Sequence, residues 1–137
     1  LTLSIDVLPH FISQTFRCVW DYAYAIRRVK MLDFLIDNGY QIDIYGVNWP
    51  SEILDKPNVN FKGSINYTQN IDIISNYRLS INPYHQAHGS HERIFDSLVN
   101  GCQCLLYESQ YFKETFDGYK GLLYLPLTGD IPDNVNT

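Results

Sequence analysis

The chain has 137 residues, of which 45% are apolar and 18% charged. That is enough for one domain with a core of its own, and it excludes a disordered segment or a staple-dependent miniprotein. A net charge of −5 and a pI near 5.1 exclude a nucleic-acid surface, which needs a basic stripe, but leave room for one local cationic site.

Taken in order, Leu3, Ile5 and Val7 alternate with polar residues and predict a strand ended by Pro9. His10 to Trp20 reads as a loop or a partial element. Asp21 to Asn38 is the clearest helix, because Tyr22, Ala25, Val29, Leu32 and Ile36 recur at helical steps. Asp21 is expected to cap its start and Gly39 to close its end. Gln41 to Tyr45 reads as a strand followed by Gly46, where a missing side chain lets either a ligand or a tight turn approach the backbone. Val47 to Pro57 is a loop with at most one helical turn; its Trp49 either covers a base or fills a gap. Val59 to Phe61 is a short strand, and Tyr67 to Tyr77 a helix capped by Thr68.

Arg78 to Asn82 is the strand that enters a polar loop, Pro83 to Ser90. A helix follows from His91 to Asn100, with Ile94, Phe95, Leu98 and Val99 as its stripe, Ser90 as candidate N-cap and Gly101 at its end. Cys102 to Tyr107 is a strand, Gln110 to Phe116 a helix, and Gly121 to Leu125 a last strand before a polar tail. This alternation predicts an α/β fold, a parallel sheet with helices on both faces and right-handed crossovers. In such a fold, a polar loop running from a strand into a helix N-terminus is an anion site. Arg93 and Asp96, three apart, share one surface of that helix with Glu92 beside them. They fit a nucleotide diphosphate, the arginine to phosphate and the carboxylate to ribose; they equally fit an exposed ion pair.

The run HERIFDSLVNGCQCLLYES, residues 91–109, resembles the donor-site segment of group 1 glycosyltransferases, especially the branch of spore-maturation-type glycosyltransferase-like proteins. Arg93-Ile94-Phe95-Asp96 and Gly101 match its pattern. GYQIDIYGVNWP, NVNFKGSINYTQ and ISNYRLSINPY resemble the strands that precede it, so the likeness spans roughly residues 22–125. The resemblance implies a GT-B enzyme with two Rossmann-like domains facing across a cleft. This chain, beginning at Leu1, is then expected to be the second domain, with residues 1–20 as an interdomain segment.

The resemblance further implies a nucleotide-diphosphate-sugar donor. Arg93 would neutralise the leaving phosphates and Asp96 would stand where the family has a ribose-binding Glu. Gly46, His88, Gly89, Ser90, His91 and Glu92 would complete the nucleotide site. Relatives carry a second Glu where this chain has His88, so donor-sugar handling departs from the pattern. A basic residue of the first helix, Arg27 or Arg28, could approach the phosphates or simply face solvent. The acceptor site would lie on the missing first domain or a partner chain, leaving the isolated domain weakly active or inactive. The alternative is a non-catalytic Rossmann-like assembly module that lost the transferase chemistry.

Other chemistries find little support. His85, His88 and His91 are spaced three apart, but no cysteine or carboxylate completes a zinc spacing, so no metal site and no cofactor are expected. Cys102 and Cys104 alternate on one strand and read as buried thiols. There is no nucleophile elbow, P-loop or dinucleotide fingerprint. Three cysteines, no membrane-length apolar run and no visible signal peptide lead to the expectation of a cytoplasmic protein.

Overall fold

The computed structural model describes residues 8–83 and 90–125. Ten elements follow one another: α1 (Leu8–Asp37), β1 (Ile42–Tyr45), α2 (Ser51–Leu54), β2 (Val59–Gly63), α3 (Tyr67–Ile74), β3 (Leu79–Asn82), α4 (Glu92–Val99), β4 (Gln103–Tyr107), α5 (Gln110–Thr115) and β5 (Leu122–Leu125). All strand pairs are parallel: β1 with β2, and β3 with β4 with β5. The fold is α/β with a Rossmann-like parallel arrangement, as its strand and helix alternation predicts.

The central strand β4 shows why helices lie on both faces. Its side chains alternate. Leu105 and Tyr107 enter a core with Met31, Leu32, Leu35 and Ile36 of α1. Cys104 and Leu106 enter a second core with Ile94 of α4 and Phe112 of α5. A strand covered on both faces needs a continuous apolar run, and Cys104 to Tyr107 is one, buried throughout.

Hydrogen bonding divides the sheet into two pieces, β1-β2 and β3-β4-β5. One core nevertheless joins them, since Ile42 and Ile44 of β1 pack with Leu105 and Leu125 beneath α1. A polar stitch joins them as well. The Tyr77 hydroxyl donates to Asp43 Oδ2 at 2.7 Å, so the Tyr45 hydroxyl, 2.7 Å from the Tyr77 hydroxyl oxygen, donates to Tyr77. Asn60 and Lys62 of β2 complete the surroundings of Asp43.

Helices α1 and α4 end in the same way. Gly39 and Gly101, both at φ 78°, take the left-handed conformation. Their N–H groups bond Ile36 O and Leu98 O, and the next residues, Tyr40 and Cys102, bond Leu35 O and Ser97 O. This double closure is the glycine stop that both sequences predict.

Three local expectations are corrected. His10 to Trp20 is neither a loop nor a partial element but the first half of α1, so Asp21 lies mid-helix and caps nothing. Its exposed apolar side chains conceal the helical pattern when a core-facing stripe is sought, and Tyr22 itself is exposed. The cap of α3 is Asn66, not Thr68; Asn66 Oδ1 accepts from Gln69 N while Gln69 Oε1 accepts from Asn66 N, a reciprocal cap worth about 1 kcal/mol. The cap of α4 is His91 rather than Ser90. The expected strand at Leu3 to Val7 lies outside the described residues.

Candidate functional site

Strand β2 is the outer edge of its pair, with Asn60, Phe61 and Lys62 exposed. The β1-β2 and β3-β4-β5 pieces are not hydrogen-bonded strand to strand, but the bond from Tyr77 to Asp43 brings β1 beside the residues that lead into β3. With β1 lying beside β3, the winding would reverse between them, and the carboxyl ends of strands at such a reversal border the usual ligand crevice. Here those ends are Gly46 after β1 and Pro83 after β3, with the starts of α3 and α4 beside them.

Gly46 holds φ 109°, which disfavours any residue with a Cβ, and its N–H bonds Gly63 O at 2.8 Å. The sharp exit it allows brings Trp49 back over the end of the strand. The indole Nε1 donates to Tyr45 O at 2.9 Å. The Arg28 guanidinium carbon lies over the ring, 3.2 Å from its centroid. A cation on an indole face gains roughly 0.5–2 kcal/mol and, more usefully here, loses its freedom to wander. Partial burial lowers the basicity of Arg28, and the charge of Arg93 lowers it further. The guanidiniums of α1 and α4 are thus near enough to feel each other's charge.

Arg93 is exposed in the first turn of α4. The helix is tied down from beneath: Ser97, buried, donates to Arg93 O at 2.8 Å and accepts from Ser80 of β3 at 2.7 Å. At the helix start, His91 Nδ1 accepts from Arg93 N at 3.3 Å and also lies 3.3 Å from Glu92 Oε2. One nitrogen cannot do both at once. Unprotonated it caps the helix, and protonated it pairs with the carboxylate. Either form leaves further N–H groups of the first turn for an anion.

Asp96, one turn on, is half-buried and accepts from the Tyr67 hydroxyl at 3.1 Å through Oδ2. That bond to Asp96 raises the Tyr67 pKa, burial and the nearby carboxylate charges adding to it. The structure thus brings Gly46, Ser90, His91, Glu92, Arg93 and Asp96 to the carboxyl side of the sheet, because all follow β1 or β3 directly. His85, His88 and Gly89 lie outside the described residues. Among the described residues no three His, Cys, Asp or Glu side chains converge as a metal site.

Sequence reading undervalued four residues. Arg28 looked like a solvated basic position; the helix periodicity does place it, half-buried, beside the core stripe. Trp49 is a platform for that arginine. Ser97 stood inside the apolar stripe of α4, a visible signal of a buried tie. Tyr67 carried no signal, because its partner lies on another helix.

The chain matches the model of the glycosyl transferase-like family over residues 27–131. It belongs to that family. Comparisons with curated proteins and with solved structures each give no match. The matched span contains every element of the glycosyl transferase-like chain from the middle of α1 to β5, and with them both arginines, Trp49, Tyr67 and Asp96. Among the described residues, no helix is long and apolar enough to cross a membrane.

Proposed function

We propose that this chain is the donor-binding half of a GT-B glycosyltransferase of the spore-maturation-type branch, and that it holds a nucleotide-diphosphate sugar at the β1/β3 crevice. The observation that carries the reading is Arg93, exposed in the first turn of α4, with Arg28 held over Trp49 near enough to feel its charge. An exposed guanidinium and a helix N-terminus together favour an anion there. The membership in a glycosyl transferase-like family supports it.

In this reading the diphosphate lies along residues 88–91 and the first turn of α4. Glycosyl transfer breaks the bond between the sugar and the terminal phosphate, and negative charge builds on the departing diphosphate. Arg93 and Arg28 meet that charge as it develops, which is electrostatic stabilisation of the transition state. Asp96 accepts from ribose hydroxyls through the carboxylate oxygen that Tyr67 does not occupy. Gly46, with no side chain, lets the nucleoside lie close to the ends of β1 and β2. The acceptor and any catalytic base belong to a first domain or a partner chain.

The test is calorimetric binding of UDP, GDP, ADP and dTDP to wild type, Arg93→Ala and Asp96→Ala. One nucleotide is expected to bind selectively. Arg93→Ala is expected to weaken it about 10- to 100-fold, the loss of a charge-assisted contact. A folded protein that binds none of the four, or binding untouched by both substitutions, would sink this assignment and favour a non-catalytic module.

A further inference from the structure

Helix α1 changes its apolar face half-way along. In its C-terminal half, Met31, Leu32, Leu35 and Ile36 are buried against the sheet. In its N-terminal half, Ile12, Phe16, Val19, Ala23 and Ile26 follow one another at alternating four- and three-residue steps. Projected at 3.6 residues per turn, this seam lies roughly 170° around the axis from the buried face. The side of the N-terminal half that continues the buried face carries His10, Ser13, Gln14, Arg17 and Asp21 instead. The seam therefore looks away from the chain's own core. Phe16 is 73% exposed and Val19 61% exposed. Ile12 and Ile26 are exposed as well, and Phe11, Trp20 and Tyr22 flank the seam, also exposed.

A strict four-three spacing of apolar residues is the pattern of a helix that pairs with another helix. The exposed apolar area on these seven side chains is on the order of 700 Å2, close to one side of a standard protein interface. A membrane surface fits poorly. Helices that lie in a lipid interface carry several Lys or Arg on the polar face, whereas of the side chains named there Arg17 is the one Lys or Arg, and it is paired with Asp21 at 3.9 Å. The seam also falls outside the family-matched span, which begins at Arg27.

We infer that the N-terminal half of α1 is a dimerisation surface, on which a second copy of this chain packs its own α1 in antiparallel register about Val19. The seam is close to self-complementary in that register: Ile12 of one copy meets Ile26 of the other, Phe16 meets the Tyr22–Ala23 turn, and Val19 meets Val19. Closed two-fold pairing uses one patch on both copies. Antiparallel register also sends the two folded domains to opposite ends of the pair, while parallel register would crowd them at the same end. Tyr107 Oη donates to Arg27 O at 2.8 Å, so α1 crosses the carboxyl end of β4 at that point, and the seam projects on the crevice side of the domain.

Sedimentation of the 137-residue chain across a hundredfold concentration range is the test. The mass is expected to approach twice 15.9 kDa. The double variant Phe16→Glu, Val19→Glu is expected to remain monomeric with unchanged far-UV dichroism and the melting temperature of the wild type diluted to its monomer, since neither side chain is in the core. In a Cys18→Ser background, Val19→Cys should cross-link copy to copy on mild oxidation, and Ser13→Cys, on the opposite face, should not. A monomer at every concentration overturns the inference. So does a dimer indifferent to the glutamates, or a monomer that instead binds phosphatidylcholine–phosphatidylglycerol vesicles through this seam. Efficient self-cross-linking of Ile12→Cys would overturn the antiparallel register.

Discussion

The β3-β4-β5 piece and the β1-β2 piece are built from the same kind of strand but held by different forces. The first is covered by helices on both faces, and its central strand is closed to solvent. The second is covered on one face by α1, while its other face carries the Asp43, Asn60, Lys62, Tyr45 and Tyr77 hydrogen bonds. Apolar burial is non-directional and scales with area, so it supplies most of the stability. Hydrogen bonds contribute less net energy but have direction. The polar stitch therefore sets where β1 sits relative to the residues that lead into β3.

The largest effect should come from breaking the first piece. Leu105→Ala removes a fully buried side chain from the centre of the sheet and is expected to cost about 3–5 kcal/mol. A urea titration with an unchanged slope and a lowered midpoint would confirm it. A cost below about 1 kcal/mol would mean that the α1 core is loosely packed.

Breaking the second piece should cost less and carry a pH signature. Tyr77→Phe leaves the Asp43 carboxylate without its main donor and is expected to cost about 1–2 kcal/mol. The bond from Tyr77 holds the Asp43 carboxyl below its usual range, with Asn60 and Lys62 adding to it. A carboxyl depressed on folding contributes stability above its unfolded pKa, and that stability is lost as pH falls through the folded one. Burial, with the bonds to Tyr45 and Asp43, pushes the Tyr77 phenol far above its usual value. A phenol kept neutral contributes stability below an unfolded pKa of about 10, and the contribution is lost as pH rises beyond it. Wild type should thus lose stability on both limbs, and Tyr77→Phe should flatten both. Melting temperatures from pH 3 to 11 would show it, and parallel profiles for the two proteins would contradict it.

The mildest probe compares α1 with the core by thiol labelling. Cys18 is exposed on the projecting half of α1, while Cys102 and Cys104 are buried beside Ser80. Burial pushes the Cys104 thiol up to about 11. One thiol of the three should react with a disulfide reagent at pH 8 in the native protein, and the other two only on unfolding. Smallest of all, Asp96→Asn should leave stability unchanged but let Tyr67 ionise at lower pH, read as an ultraviolet titration.

Several of these features were legible in the chain itself. The alternation of elements, the glycine stops at Gly39 and Gly101, the buried thiols and the segment Arg93 to Asp96 all rest on local rules: periodicity, a left-handed residue, a helix start. The errors have one physical origin. Asp21, Thr68 and Ser90 are all plausible caps, but a cap depends on where the preceding backbone turns, and Asn66 and His91 won because of that geometry. The half of α1 before Asp21 was misread because its apolar side chains do not face this domain.

Local sequence therefore determined the class of fold, the order of its strands and helices and the stretch around which a site could form, because each follows from neighbours a few residues apart. Only the tertiary structure decided which residues meet. Arg28 lies against Trp49, Tyr67 against Asp96, Tyr77 against Asp43 and Ser80 against Ser97, each pair 17 or more residues apart. Such contacts are set by how α1, α3 and α4 pack on the sheet, and a one-dimensional pattern carries no record of a distance across it.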